Sequence, residues 1–333
     1  MMKPIKKLVS FVLILTLFLC AAFAFTGCGG EKKEKVVIYT SAEDYRIEDL
    51  RARLNEQFPD YEIVIEYMTT GNHAAKLFAE GINTECDITH DLEYPYLAKL
   101  EKSGSLAELS QYDFSVYASD VAVSKYYIPE YRNGGAIIVD KQALDEKNLP
   151  MPASYEDLLK PEYKGLVIMP NPKSSGTGYI FLQSLTVTMG EEAALDYFDK
   201  LNENIIEYTS SGSGPVNKLI QKEAAIGLGM TGQAVTANNN GADFEILFFE
   251  EGSPYNMYGQ GIISGKETRE AVKNVFDFMI NTYNREANNK FFPEQIFADG
   301  PGKVENYPQN IQYSDMGDTS PESKDALLAK WKY

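Results

Sequence analysis

The stretch "KGLVIMPNPKSSGTGYIFL" (Lys164–Leu182) contains a short apolar run, a cluster of Ser, Thr and Gly, and then a longer apolar run. This order predicts a buried strand, a loop and a helix. The stretch "IIEYTSSGSGP" (Ile205–Pro215) repeats the order, and Pro215 suits the first turn of a helix that starts just after Ser213. Ser, Thr and Gly are common in turns and helix caps, so one interpretation is that the clusters only cap helices. The other is that both clusters bind one ligand.

Short strands and amphipathic helices alternate along the rest of the chain. The apolar positions Ile47, Leu50, Leu54 and Phe58 have helical spacing, whereas β-branched or alternating runs predict strands. The predicted strands lie within Lys35–Thr40, Tyr61–Met68, Cys86–Thr89, Arg132–Asp140, Lys164–Pro170, Ile205–Thr209, Ala224–Met230, Ala242–Phe249 and Tyr258–Gly265. Strands that alternate with helices are typical of α/β proteins with largely parallel sheets.

Polar residues follow several of the predicted strands, at the end of the strand where open α/β sheets bind their ligands. Gly176 and Gly212 would let a ligand approach the backbone closely, and helix N-termini beside hydroxyl groups suit a small anionic group. The Gly-Lys-Ser/Thr ending of nucleotide-binding loops is absent from both clusters. The candidate ligand-binding residues are Ser41, Asn72, Asp91, Ser174, Ser175, Gly176, Thr177, Ser211, Gly212, Ser213 and Thr231.

The first residues predict export from the cytoplasm. Met1–Lys7 contains lysines and no acid, Val9–Phe25 is almost wholly apolar, and "FTGC" (Phe25–Cys28) follows. This order is typical of a signal peptide, here residues 1–27, and "FTGC" resembles the lipobox of bacterial lipoproteins, in which the Cys is acylated. We therefore expect Cys28 to carry lipid, residues 28–35 to form a polar tether, and the protein to be anchored outside the cytoplasm at the cell membrane. An uncleaved anchor and simple secretion are the alternatives.

Composition excludes several classes of function. The formal net charge is −17, and nucleic-acid binding requires a basic surface. If Cys20 leaves with the signal peptide and Cys28 carries lipid, Cys86 is alone, so we expect no disulfide and a buried thiol. With only His73 and His90 available, we expect neither a metal site nor another cofactor. The chain is long enough for two domains.

Four segments together resemble the solute-binding proteins of ABC importers, in the branch that includes ferric-iron, phosphonate and sugar-phosphate binders. They are "VVIYTSAED" (Val36–Asp44), "YKGLVIMPNPKSSGTGYIFL" (Tyr163–Leu182), "YTSSGSGPVNKLIQKEAAIG" (Tyr208–Gly227) and "FFEEGSPYNMYGQGIISGK" (Phe248–Lys266). The resemblance implies a two-lobed type II periplasmic-binding-protein fold whose lobes close on a solute.

The resemblance also implies how the chain is divided between the lobes. "RNGGAIIVD" (Arg132–Asp140) and "YGQGIISG" (Tyr258–Gly265) match the hinge strands of the family. Lobe 1 would contain residues 36–135 and 258–333, and lobe 2 residues 136–257. The lobe that holds the C-terminal helix near Trp331 stays open. A protein of this kind is expected to be a monomer that delivers its solute to a membrane permease and performs no catalysis.

The sequence departs from the family's patterns in two places. Ferric-iron binders have a Tyr pair just after the strand that matches "AAIGLGM", but "TGQAVTANNNG" (Thr231–Gly241) contains no Tyr, and the pair Tyr126–Tyr127 lies elsewhere. Phosphonate and sugar-phosphate binders tend to have Asp-His where Thr231–Gln233 stands. The organic part of the solute therefore stays open, although Tyr258 could stack on it.

The sequence thus favours a lipid-anchored receptor for a small anionic solute that contains phosphate or phosphonate. A ferric-iron receptor of the same family is one alternative. A surface enzyme such as a phosphoesterase is another, although no nucleophile lies beside a plausible base in the sequence patterns.

Overall fold

The computed structural model describes residues 33–292, 296–299 and 304–333. The predicted signal peptide, Cys28 and most of the predicted tether lie outside these residues. Within them, every helix is too short or too polar to cross a bilayer.

The strands form one nine-stranded sheet, in the order β2-β1-β3-β9-β4-β7-β5-β6, and β8 pairs with β4 beside this path. The strands are β1 (Glu34–Thr40), β2 (Tyr61–Tyr67), β3 (Ile88–Glu93), β4 (Ile128–Asp140), β5 (Val167–Pro170), β6 (Ile205–Thr209), β7 (Ile226–Met230), β8 (Phe244–Leu247) and β9 (Tyr255–Ile262). Each of them overlaps a run that the sequence predicts as a strand.

Helices connect the strands and cover the sheet. They are α1 (Asp44–Gln57), α2 (Thr70–Glu80), α3 (Tyr94–Lys102), α4 (Lys141–Asp145), α5 (Gly176–Met189), α6 (Glu191–Leu201), α7 (Gly214–Ile220), α8 (Thr231–Asn239), α9 (Glu270–Phe278), α10 (Asn284–Phe291) and α11 (Pro321–Leu328). A π-helical turn, Met279–Tyr283, joins α9 to α10.

The sheet is mixed, so the expectation of largely parallel sheets is wrong. β1 runs parallel to β2 and β3, and β5 runs parallel to β6 and β7. Every antiparallel pair contains β4 or β9, the two long strands that cross between the halves of the molecule. The alternation of strand and helix predicts the parallel part only, because β4 and β9 run against their neighbours.

Among the described residues, two hydrophobic clusters form on each side of the crossing strands. We call the half around β1, β2 and β3 lobe 1 and the half around β5, β6 and β7 lobe 2. In lobe 1 the buried face of α1 packs under the sheet through Ile47, Leu50 and Leu54. In lobe 2 the apolar helix α5 is buried along most of its length, and Trp331 packs in the same core. Two lobes joined by crossing strands are the architecture that the resemblance predicts.

The crossing strands join the lobes at a defined point. From Ile128 to Gly134, β4 pairs with β9. From Gly135 onward it pairs with β7, so the chain passes from lobe 1 to lobe 2 at Gly134–Gly135. The carboxyl ends of the strands in both lobes therefore face one cleft.

Candidate functional site

A cavity of about 20 Å³, with room for about one water molecule, lies between the two lobes. The loops that follow β1, β2, β5 and β6, together with the bulge within β3, enclose it. Among the sequence-predicted residues, the structure places in its lining Ser41, Asp91, Ser175, Thr177, Ser211, Gly212 and Ser213. The two hydroxyl-and-glycine clusters thus share one cavity.

The lobe 2 wall of the cavity consists of neutral donors and acceptors. Ser175 caps α5 by accepting a hydrogen bond from the backbone N–H of Gly178 (3.4 Å), and Thr177 accepts one from Asn133 Nδ2 (3.3 Å). The hydroxyls of Ser211 and Ser213 are 2.9 Å apart. Because the first N–H groups of a helix lack intrahelical partners, α5 adds backbone donors to this wall.

The two clusters also pack directly against each other. A Cβ atom at Gly212 would lie 2.5 Å from Thr177 Oγ1 and 3.1 Å from Ser175 Oγ. A larger residue at position 212 would therefore push the loops apart. Capping and cavity formation are both roles of these residues, so the capping interpretation alone is too narrow.

The lobe 1 wall is acidic. β3 bulges between Thr89 and Leu92, and within the bulge Asp91 has a φ of 56°, which places it at the cavity. Ser41 donates its hydroxyl hydrogen bond to the carbonyl of Asp91. Glu43, at the N-terminus of α1, is the second carboxylate in the lining.

The guanidinium of Arg46 forms ion pairs with three carboxylates at this wall. Arg46 lies 3.0 Å from Glu43, 2.5 Å from Asp91 and 2.9 Å from Glu130. The Glu130 oxygen that pairs with Arg46, Oε1, also lies 3.0 Å from His90 Nε2. All these side chains are buried, so the network holds a surplus of carboxylates in a low-dielectric place.

Aromatic rings fix the position of Arg46. Its guanidinium carbon lies 4.3 Å from the centre of the Tyr131 ring and 4.5 Å from that of Phe292. Tyr131 stacks on Phe292 with ring centres 4.0 Å apart and on Tyr258 with 5.1 Å. Cation–π contacts and stacking therefore make this wall rigid. Tyr258 forms one end of this stack.

The environment separates the pKa values of the two neighbouring carboxyl groups Asp91 and Glu130. Burial raises the pKa of Asp91 to about 7, against the pull of Arg46 and with help from Glu130 and Glu43. Burial also acts to raise the pKa of Glu130, but His90, Arg46 and a hydrogen bond from the Asp91 backbone outweigh it and lower that pKa. Asp91 is thus the carboxyl group whose charge responds to its surroundings near neutral pH.

Four predicted site residues lie off the cavity lining. Gly176 faces Glu93, because a Cβ atom there would lie 1.6 Å from Glu93 Oε1. Ser174 donates to the carbonyl of Ser210 at 2.9 Å. Asn72 is exposed, and Thr231 is buried with a hydroxyl that has no hydrogen-bond partner in the described part of the chain.

The cavity also contains residues outside the predicted set. They are Glu43, Tyr67, Thr69, Thr70, Tyr131 and Met230. Tyr258, which the sequence analysis named only as a ring that could stack on the solute, lines the cavity as well. Tyr67 ends β2, and Thr69 and Thr70 follow it. The position at the carboxyl end of a strand, which marked the other candidate residues, therefore marks these as well. Tyr131 lies within the crossing strand β4, and no local pattern marks it.

Contacts between the lobes close the cleft on both sides of the cavity. Tyr67 donates to Ser211 Oγ (3.1 Å), and the backbone N–H of Gly71 donates to the carbonyl of Ser174 (3.1 Å). Lys324 of α11 forms a buried ion pair with Glu93 at the end of β3. The structure is therefore that of a closed cleft.

The C-terminal helix α11 contacts both lobes. Leu327 packs in the lobe 2 core beside Trp331. On the same buried side of the helix, Lys324 lies 4.4 Å from the ring centre of Tyr96 in lobe 1 and 4.1 Å from that of Tyr179 in lobe 2. The helix thus lies across the closed cleft and can move with only one of the lobes if they separate.

Other residues that the sequence analysis singled out have structural positions. Cys86 is fully buried, as expected, and burial raises the pKa of its thiol. Tyr127 packs edge-on against Tyr94, with ring centres 5.1 Å apart, away from the cavity. No three His, Cys, Asp or Glu side chains within 33–292, 296–299 and 304–333 are grouped as metal ligands would be.

Comparisons with known proteins agree with the fold. Residues 93–318 match the model of a family described as bacterial extracellular solute-binding protein. A protein of Haemophilus influenzae with the name "Uncharacterized protein" is 24% identical, over 96% of this chain and 95% of its own length. The spermidine/putrescine-binding periplasmic protein of Escherichia coli is also 24% identical, over 60% of this chain and 61% of its own.

A solved structure shows the same fold. It is the periplasmic binding protein AfuA of Actinobacillus pleuropneumoniae, with bound fructose-6-phosphate. Its TM-score is 0.78 at 22% identity, over 90% of this chain and 98% of that one.

Proposed function

Because the chain belongs to the family of bacterial extracellular solute-binding proteins, we propose that it binds a small solute with a phosphate or phosphonate group and is anchored by lipid. Membership of the family gives the general role: the protein is a solute-binding receptor of an ABC importer. The observation that supports a phosphate or phosphonate group is the wall that Ser175, Thr177, Ser211 and Ser213 share in the cleft.

Neutral donors in this number can hold a charged oxygen group reversibly. A hydrogen bond to a charged group contributes about 1.5–3 kcal/mol. Micromolar affinity corresponds to about 8 kcal/mol. The four hydroxyls and the first N–H groups of α5 could supply much of that free energy. AfuA, whose structure contains fructose-6-phosphate, has the same fold and supports a phosphate-containing solute.

The mechanism consists of opening and closing. A cavity with room for one water is too small for a phosphonate, so solute entry requires the lobes to move apart from the closed arrangement. Contacts of a bound solute with Ser175 and Thr177 from lobe 2 and Ser41 from lobe 1 would then favour a solute-bound arrangement, closed but less tightly than this one, over the open one. The permease recognises the closed receptor. This cycle needs no covalent step, and no catalytic residue is proposed.

The hydroxyl wall can be tested by removing two of its members. Thr177→Ala combined with Ser213→Ala should weaken binding of the preferred phosphate or phosphonate compound about a hundredfold or more, because two hydrogen bonds to charge are lost. Binding is measured as the rise in melting temperature over a panel of phosphate esters and alkylphosphonates. The matched control is Thr188→Ala with Ser210→Ala, since both residues are exposed in the same two segments.

Two results would contradict the proposal. One is a double variant that melts normally and keeps full affinity for the compound that the parent protein binds. The other is a parent protein that no phosphorus-containing compound stabilises. Turnover of a phosphate ester by the pure protein would show instead that it is an enzyme.

A further inference from the structure

Residues 331–333, which follow α11, pack against lobe 2 outside the cavity. Trp331 is 3% exposed and meets two rings edge-on, Phe198 of α6 and Tyr208 of β6, with ring centres 5.3 and 5.6 Å away. Tyr333 stacks on the same Tyr208 ring with ring centres 5.3 Å apart. Tyr208 lies near the end of β6, the strand that leads into the second of the two hydroxyl-and-glycine clusters.

The same segment also holds the loop that carries the first cluster. Asn171 Nδ2 donates a hydrogen bond to the Tyr333 carbonyl at 3.1 Å. Lys173 Nζ donates one to the Trp331 carbonyl at 2.8 Å. Asn171 in turn anchors the cluster, because its own carbonyl accepts a hydrogen bond from the backbone N–H of Ser175 at 2.9 Å. The segment therefore contacts the chain immediately before each cluster.

The two clusters are also joined directly to each other. The backbone N–H of Asn171 donates to the Thr209 carbonyl at 2.8 Å, and Ser174 Oγ donates to the Ser210 carbonyl at 2.9 Å. A solute that contacts both clusters requires them at one fixed spacing, because binding groups must be held within about 0.5 Å of their working positions. The contacts with residues 331–333 add a further connection between the two loops, outside the cavity.

We propose that Asn171, Lys173 and residues 331–333 are positioning residues for the solute: they hold the two hydroxyl clusters at the spacing that one anionic group requires. This inference rests on the proposed function and adds to it residues that lie outside the cavity lining. Such residues make no contact with the solute, so they change its affinity only through the hydroxyls that they support. The buried ring of Trp331 fixes the segment to lobe 2, and the backbone carbonyls of the segment fix the loop.

Lys173→Met tests the proposal, because it removes the donor to the Trp331 carbonyl and keeps the stem of the side chain. The probe is methylphosphonate or fructose-6-phosphate, whichever binds the parent protein more tightly, and its dissociation constant is measured by isothermal titration calorimetry well below the melting temperature. We expect that constant to rise at least about tenfold, since the loss of even one hydrogen bond to a charged group has about that effect. Lys173→Arg keeps a donor and should restore the parental affinity.

Two further variants separate position from charge. Asn171→Ala removes the donor to the Tyr333 carbonyl without changing the net charge, and it should weaken binding to a similar degree. Lys332→Met is the matched control. It removes the same charge from the same segment, but Lys332 is 65% exposed and pairs with Asp199 instead of the loop. This control should bind the probe as the parent protein does.

Amide hydrogen exchange of the solute-free protein, followed by mass spectrometry, measures the looseness of the two loops without a solute. In Lys173→Met and Asn171→Ala, exchange should become at least about tenfold faster in residues 174–178 and 210–214, because local opening of these loops loses a constraint. Exchange in the core of lobe 1 should stay parental. A rise spread evenly over the protein would overturn the proposal, since it would report a loss of overall stability.

The outcomes separate the positioning role from the function beneath it. Parental affinity in Lys173→Met and Asn171→Ala, with or without a lower melting temperature, overturns the positioning role and leaves the phosphonate receptor in place. A loss of affinity in Lys332→Met as large as that in Lys173→Met also overturns it. If no phosphorus-containing compound binds the parent protein, the proposed function fails and hydrogen exchange decides the positioning role. Faster exchange confined to the two clusters then supports it, and parental exchange overturns it.

Discussion

Replacing Lys324 with Met should hold the two lobes apart. Lys324 and Glu93 are 1% and 0% exposed in the closed structure, and they come from α11 and from the end of β3. Tyr258 donates a second hydrogen bond to Glu93 at 3.2 Å. Without Lys324, closure would bury the Glu93 carboxylate with no cation beside it, whereas an open cleft would leave it in water.

The size of the shift toward the open state follows from the cost of burying Glu93 without a cation. Removing one partner of a buried ion pair costs about 3–5 kcal/mol. The cost applies to the closed state alone, and each 1.36 kcal/mol is a factor of ten, so the closure equilibrium should fall by about a hundredfold to a few thousandfold. Apparent solute affinity should fall in proportion, because binding must then supply the free energy of closure.

Small-angle X-ray scattering on the solute-free protein measures the result directly. Lys324→Met should increase the radius of gyration, and Lys324→Met with Glu93→Met should restore it, because removing both charges leaves nothing unpaired. Lys102→Met is the control. Lys102 of α3 forms a 2.6 Å pair with Glu322 of α11, but the two side chains are 76% and 65% exposed, so its loss should leave the closure equilibrium nearly unchanged. A Lys324→Met protein with parental scattering and parental solute affinity would refute the reasoning.

Three further expectations concern single positions. Gly176→Ala should also favour the open cleft, since its Cβ would lie 1.6 Å from Glu93 Oε1; an unchanged radius of gyration would contradict this. The pKa of Asp91 rises from an ordinary 3.8 to about 7 on folding. The stabilisation that comes from this shift is therefore complete below about pH 4 and is lost as the pH rises through 7. The melting temperature of the solute-free protein should therefore fall between about pH 5 and pH 8, and the fall should be smaller in Asp91→Asn; equal slopes would exclude Asp91 as the cause. Cys28→Ala should leave unprocessed precursor or release protein from the membrane, as seen by cell fractionation; normal processing and retention would count against lipidation.

The fold could be predicted largely from local patterns. Ile47, Leu50 and Leu54 have helical spacing, and they form the buried face of α1. The direction of the strands could not be predicted in the same way. β4 and β9 are antiparallel to their neighbours because they cross between lobes, and only the resemblance to a known family pointed to that crossing.

The site residues that follow the ends of strands could be predicted from the sequence. Ser175, Thr177, Ser211 and Ser213 follow strands, and the structure brings them to one cavity. Gly176 belongs to the same pattern, but its partner Glu93 lies in the other lobe, so its role depends on tertiary contact. The Lys324–Glu93 pair joins residues 231 positions apart, a distance over which no sequence pattern gives information.

The position of β9 has a consequence for the order of folding. β9 lies between β3 and β4 in the sheet, although all of β5–β8 precede it in the chain. While the polypeptide emerges from its amino end, β3 has an unpaired edge until Tyr255–Ile262 becomes available, and such edges are sites of aggregation. The strands of lobe 2 that pair with β4 are complete before that point. Lobe 1 therefore emerges first but completes its sheet last. The nascent chain most needs protection while the residues between β3 and β9 are being synthesised.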